Sequence, residues 1–301
     1  MGAIRTFLTT FALTFALAIP AAAQTKANQL FGAKGSPSRQ APAAYGEYSK
    51  GCLAGGVQMP ETGRTWQAMR LSRNRNWGHP EMIDFLGDLS HRVQRIGWPG
   101  LYIGDISQAR GGPMLSGHAS HQMGLDADIW MRKPHSLTLS RAERERIGST
   151  DMRSANQRTV SGNYSPDVGQ VIQIAALDPR VDRIFVTPPV KIELCKRATR
   201  KDRKWLQKVR PLSGHNTHFH VRLKCPRGDR ACETQRPTVD DLSNGGSGCD
   251  ETLMWWVTDY LDPPKRTAPA KPSKPAPRKR GARDYTMADL PRQCAQVLSA
   301  P

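Results

Sequence analysis

Two short segments, almost a hundred residues apart, hold five of the chain's eight histidines. The first is Ser116-Gly117-His118-Ala119-Ser120-His121-Gln122-Met123-Gly124-Leu125-Asp126-Ala127-Asp128, and the second is His215-Asn216-Thr217-His218-Phe219-His220. Such clustering marks a place that needs imidazole, the commonest metal-ligand side chain and the usual proton carrier near neutral pH. Residues 125–131 alternate: Leu125, Ala127 and Ile129 share one face, while Asp126, Asp128 and Trp130 share the other. Residues 218–224 alternate as well, with Phe219, Val221 and Leu223 opposite His218, His220, Arg222 and Lys224. Period-two alternation predicts two strands, each with an apolar face for the core. A strand offering an Asp and a strand offering two His build a metal site if they are neighbours in a sheet. Gly124, just before the first strand, suits a sharp turn that a residue with a Cβ resists.

The rest of the chain frames that pair. Residues 1–23 carry one charge, Arg5, then an apolar run from Phe7 to Ile19 and Ala21-Ala22-Ala23. This is the pattern of a secretory signal with a small-residue cleavage site, so the mature chain is expected to begin near Gln24. The run is short for a transmembrane helix, and no later stretch is long and apolar enough to span a bilayer. An exported chain meets oxidising conditions, where disulfides persist. Cys52, Cys195, Cys225, Cys232, Cys249 and Cys294 all follow the signal. Their even number predicts three disulfides, and the residues alone leave the pairing open.

The net charge of +18 points to an anionic partner. Export and the lack of a nucleic-acid-binding signature argue against nucleic acid. An anion met outside the cytoplasm fits better; a simple solubilising surface is the plainer alternative. Residues 24–44, rich in Ala, Gly, Pro, Ser and Gln, are expected to be a mobile lead-in. His79-Pro80 opens a helix whose apolar stripe is Ile83, Leu86, Leu89, Val93 and Ile96, and Gly97 stops it. His79 and His91 are expected at surface or structural positions rather than catalytic ones, and His135 in a loop. A strand is expected over 101–106, an amphipathic helix over 168–177, a strand over 183–187, and polar helix with turn over 188–210. Residues 263–277 contain six prolines, and 265–283 contain eight Lys or Arg without an acid, the composition of an extended linker. Residues 284–301 then carry Cys294 as a short tail stapled to the body. The expected architecture is α+β: one domain over 45–262, a small mixed or antiparallel sheet flanked by helices, with the site on one sheet face.

The histidine segments are also where a resemblance lies. His121-x6-Asp128 followed by His218-x-His220 resembles the zinc peptidases that cut peptidoglycan peptides, the lysostaphin and D-Ala-D-Ala peptidase group. The string SGHASHQMGLDADIW is similar to the penicillin-insensitive murein endopeptidases within that group. So are YSKGC (48–52), LSRNRNWGHP (71–80), RIFV (183–186), WLQKVRP (205–211) and HVRLKCP (220–226). The likeness runs from about Tyr45 to Trp256. It implies zinc held by His121, Asp128 and His220, with His218 as general base and His118 and His215 as further active-site histidines, His118 auxiliary to the metal. Asp126 shares a face with Asp128, where it can orient a histidine. Some members hold a second metal through an Asp and a His downstream. Residues 154–161 contain neither, so one zinc is expected and a second is not. The resemblance also implies the pairs Cys52–Cys294, Cys195–Cys249 and Cys225–Cys232.

Three protein ligands leave a tetrahedral zinc one open position, which is the catalytic rather than the structural arrangement. The expected reaction is hydrolysis of D-alanyl-diaminopimelate cross-links in the periplasm. A D-Ala-D-Ala carboxypeptidase or dipeptidase shares the core motif and is the first alternative; a wall-binding protein without activity is the second. Ser120 lies beside His121 but outside any G-x-S-x-G nucleophile motif, which argues against a serine hydrolase. The sequence does not set the number of subunits, and a homodimer is compatible with it.

Overall fold

The structure is a computed structural model that describes residues 25–199, 203–264 and 280–301. The expected signal at 1–23 and most of the expected linker at 263–283 lie outside the described residues. In chain order the first half contains α1 (Ala27–Gly32), β1 (Ala43–Glu47), β2 (Lys50–Ala54), β3 (Val57–Gln58), β4 (Trp66–Ala68), β5 (Trp77–Gly78), α2 (Pro80–Arg92), β6 (Leu101–Ile103) and β7 (Asp126–Trp130). The second half contains α3 (Arg141–Arg146), α4 (Pro166–Ala176), β8 (Val181–Val186), α5 (Pro188–Arg197), β9 (Val209–Pro211), β10 (His218–Leu223) and α6 (Gln293–Ser299).

The fold is α+β, built on a six-stranded mixed sheet in the order β4-β6-β7-β10-β8-β9. The two histidine-segment strands are neighbours at its centre. β10 runs antiparallel to β7 with His220 opposite Asp128, His218 opposite Trp130 and Arg222 opposite Asp126. On its other side β10 pairs antiparallel with β8, and the outer pairs β4–β6 and β8–β9 are parallel. One sheet face is apolar: Ala127, Ile129, Ile184, Phe219, Val221 and Leu223 are buried in the main core with Phe85, Leu86 and Leu89 of α2 and Val171, Ile172 and Ala175 of α4. Burying each of the larger of these side chains contributes about 1.5–3 kcal/mol. Register is therefore strongly specified, because a one-residue slip would drive the histidines into that core.

Local signals explain the flanking helices. Pro80 starts α2 at a position whose N–H has no helical partner, and the preceding His79 accepts the Glu81 N–H through Nδ1 at 3.2 Å. The helix tightens into a 3-10 turn over Val93–Ile96 and stops at Gly97, whose φ of 80° is left-handed. The strand expected over 101–106 is shorter, ending at Ile103. The 188–210 region holds, besides α5, the edge strand β9.

Residues 24–44 depart from the mobile lead-in expected of them. Ala27 and Phe31 of α1 are fully buried in a second, smaller core with Cys52, Ala54, Leu290, Cys294 and Val297. The Ala27 N–H donates to the Tyr285 carbonyl at 2.8 Å. Composition pointed to disorder because this segment's apolar partners come from the other end of the chain. The tail is indeed tied to the body: the three disulfides are Cys52–Cys294, Cys195–Cys249 and Cys225–Cys232, the pairs implied by the resemblance. Arg110 completes the clasp, donating from one guanidinium nitrogen to the carbonyls of Val297, Leu298 and Ala300 at the end of α6.

Candidate metal centre

The centre is organised by one carboxylate, Asp126, that three partners share. It is fully buried, and Arg222 donates to it at 2.7 Å. The His121 backbone N–H donates to Oδ2 at 2.9 Å, and His220 Nε2–H donates to Oδ1 at 2.9 Å. Burial works against the Asp126 anion, but Arg222 and His220 overcome it and hold its carboxyl well below the usual range. Asp126 stays charged and acceptor-only, which fixes the tautomer of His220: Nε2 carries the proton and Nδ1 faces the centre.

His121 is oriented by a different partner to the same end. Its Nδ1–H donates to the Ile106 carbonyl at 2.6 Å, so Nε2 faces the centre. Its backbone is left-handed, with φ of 67°, a conformation that a non-glycine residue adopts only where its surroundings impose it. The Asp126 bond to its N–H supplies part of that constraint. Gly124 is left-handed too, and a Cβ there would lie 2.7 Å from the His79 nitrogen.

Three acceptors now converge. His121 Nε2 and His220 Nδ1 are 3.1 Å apart, and Asp128 Oδ1 lies 3.4 Å from the first and 3.3 Å from the second. Two lone pairs and a carboxylate oxygen at such distances repel unless a cation lies among them. Asp128 Oδ1 is buried and has no hydrogen-bond partner among the described residues. A tetrahedral ion with bonds of about 2.0–2.1 Å separates its ligand atoms by about 3.3 Å, the size of this triangle. By its spacing, its tautomers and its orphaned oxygen, the donor set fits a zinc ion.

Two more histidines border the triangle. His118 Nε2 is 3.5 Å from Asp128 Oδ2 but donates to Asp105 Oδ2 at 3.0 Å. The atoms of His118, His121 and Asp128 also lie close enough together for one ion, within 4.8 Å. His220 Nδ1 faces the triangle with a lone pair, whereas the inward nitrogen of His118 is engaged by Asp105. His218 Nε2 is 3.5 Å from Asp128 Oδ1. Burial lowers its pKa against the pull of Asp128, so the ring is neutral and free to accept a proton at pH 7. His215 packs against His218 with ring centroids 5.3 Å apart and donates from Nδ1 to the Ser213 carbonyl at 3.1 Å. Its pKa is pushed down to about 4 by burial and by His220 and His218.

Asp105 is a buried carboxylate beside the centre that sequence reasoning missed. It is almost fully buried and accepts from His118, from Arg75 at 2.9 Å and from Arg73 at 3.1 Å. Burial opposes its charge, but His118 and the two arginines hold its pKa down at about 2. The signal was faint: an isolated Asp after the short β6 strand, and two arginines in the 71–80 block.

A buried carboxylate ringed by histidines on the polar face of a mixed sheet is the class of site seen here. The chain's kinship agrees with it. Residues 44–299 match the family model described as penicillin-insensitive murein endopeptidase, and the chain belongs to that family. Among its relatives, a Haemophilus influenzae protein of that name is 39% identical over 267 residues, covering 88% of this chain and 86% of that protein. A Klebsiella pneumoniae protein of the same name is 38% identical over 234 residues, covering 77% of this chain and 82% of that one. A third, from Salmonella paratyphi B, is 38% identical over 242 residues, covering 80% and 84%.

Proposed function

We propose that the chain is a zinc-dependent murein endopeptidase that works in the periplasm after export and cuts D-alanyl-diaminopimelate cross-links between peptidoglycan peptides. The family and its relatives' names support murein cleavage, and three disulfides with no free cysteine suit an exported chain. No described helix is long and apolar enough to cross a membrane. The observation that carries the metal reading is the triangle of three inward-facing acceptors around the orphaned Asp128 oxygen.

His121, Asp128 and His220 would hold the ion. Zinc, when bound, lowers the pKa of a coordinated water to about 7 and polarises a carbonyl. His218, neutral and beside Asp128, takes the proton of the attacking water and returns it to the leaving amine. His215, neutral as well and with its one N–H held by the Ser213 carbonyl, packs beside His218 and helps to position that ring. Asp126 and the Ile106 carbonyl keep the two ligand histidines in the required tautomer and orientation. Asp105 holds His118 at the rim. The test is product analysis: cross-linked muropeptide dimers should yield monomers with the rate unchanged by a β-lactam. Release of free D-alanine with the dimers intact would assign the carboxypeptidase reaction instead.

A further inference from the structure

Among the described residues eight large hydrophobic side chains are exposed, and three of them fall in one segment. The segment from Asp250 to Asp262 exposes Met254 at 48%, Trp255 at 47% and Tyr260 at 45%, the latter two being the exposed aromatics among the described residues. Trp256, half-buried, completes a knot: Trp255–Trp256, Trp255–Tyr260 and Trp256–Tyr260 ring centroids are 5.3, 5.4 and 5.2 Å apart. The segment is anchored rather than loose. Arg158 donates to the Val257 carbonyl and to the Asp262 carboxylate. Leu253 and Val257 are buried beneath it.

The knot adjoins the candidate centre. The Tyr260 and Ser213 hydroxyls are 2.9 Å apart, and the Ser213 carbonyl is the acceptor that holds His215. One loop therefore joins the aromatic surface to a histidine packed on His218. Clustered exposed aromatic area of this kind marks a binding surface. Its charge narrows the choice of partner. The chain is strongly basic, yet residues 250–262 contain Asp250, Glu251, Asp259 and Asp262 and no Lys or Arg. Arg158 pairs with Asp262, and Lys196 and Arg203 lie beside Glu251 and Met254, so the surface is mixed in charge and carries several carboxylate acceptors. A neutral, hydroxyl-rich ligand with C–H-bearing faces fits both features. Aromatic faces carry negative charge that attracts polarised C–H groups, and carboxylates at the rim accept from hydroxyls.

We propose that Trp255, Trp256 and Tyr260 form a stacking platform for the sugar strand of the wall polymer. It holds the glycan that carries the peptide being cut and so positions that peptide at the centre. The proposal rests on the murein-cleaving function above.

The test compares two substrates with intact, metal-loaded enzyme: peptide dimers still bearing their disaccharides, and the same dimers stripped of sugar. Trp255→Ala should raise KM for the sugar-bearing dimer roughly three- to tenfold, the scale of an aromatic stacking contact, with kcat unchanged and the stripped dimer unaffected. Tyr260→Ala should act in the same direction. Equal effects on both substrates, or none on either, would overturn the platform. Calorimetric titration with tetra-N-acetylglucosamine provides a readout independent of cleavage. Binding by the wild type that Trp255→Ala loses supports the proposal, even if neither dimer is cut and the endopeptidase function fails. No binding by the wild type overturns it. A dimer in sedimentation that Trp255→Ala converts to monomer would also overturn it, by assigning the surface to a second copy.

Discussion

The β7–β10 strand pair and the terminal clasp are both ordered, but by different means. In the strand pair, His220 faces Asp128 because register places them opposite each other, and alternation presents His218, His220, Asp126 and Asp128 on one face. In the clasp, α1 and α6 meet although the cysteines that join β2 to α6 are 242 residues apart. The first region is specified by a periodic pattern that each strand carries within itself. The second is specified by partners at opposite ends of the chain. A site built on the sheet should therefore survive damage to the clasp, while the clasp depends on its covalent tie.

The largest effect separating the two should come from cutting that tie. Replacing Cys52 and Cys294 together by Ser is expected to lower unfolding free energy by about 2–5 kcal/mol. Chemical denaturation would measure this, and the metal content of the folded variant should stay at the wild-type level. Loss of metal at full folding would show that the clasp shapes the site after all.

Next in size is the carboxylate behind the ligands. Asp126→Asn removes the charge that fixes His220, balances Arg222 and binds the His121 N–H. Metal affinity should fall about 10–100-fold, the usual consequence of losing a group that orients a ligand. Competition with a chelator of known affinity would measure it. An unchanged affinity would mean that Asp126 only packs.

The smallest effect lies in neither region and serves as a reference for both. Lys191 is fully buried and donates to the Leu206 carbonyl at 2.7 Å and the Ser247 carbonyl at 3.0 Å. Burial, aided by Arg210, pushes its pKa down to about 7. Between that value and the ordinary 10.5 the unfolded chain binds the extra proton, so stability rises with pH across this window. The gain between pH 7 and 8 should be about 1 kcal/mol relative to Lys191→Met. Equal pH slopes for the two proteins would place the folded pKa elsewhere.

Legibility in the sequence followed the same division. Strands β7 and β10 and their faces were legible from alternation, their pairing only as the condition for a metal site, and α2 from its stripe, its Pro80 start and its Gly97 stop. The resemblance implied the disulfide pairs, which spacing alone left open, and the ligand set proposed above. α1 was not legible, because Ala27 and Phe31 are buried by distant partners, β2 and the other end of the chain. Asp105 was not, because its role comes from the approach of His118, Arg73 and Arg75 across loops rather than from any period. The left-handed His121 was hidden for the same reason: its constraint is the carboxylate of Asp126, five residues on.

The central claim is that two histidines two residues apart on one strand have different roles, and metal analysis beside turnover tests it most directly. His220→Ala removes one of three ligands, so metal and activity should vanish together. His218→Ala leaves His121, Asp128 and His220 in place, so it should keep its metal while kcat falls roughly 10²–10⁴-fold, the usual share of a general acid–base group. Both variants should fold, because neither side chain enters the core that holds Phe219, Val221 and Leu223. A His218→Ala protein that loses its metal, beside a His220→Ala protein that keeps it, would contradict the account and exchange the two roles.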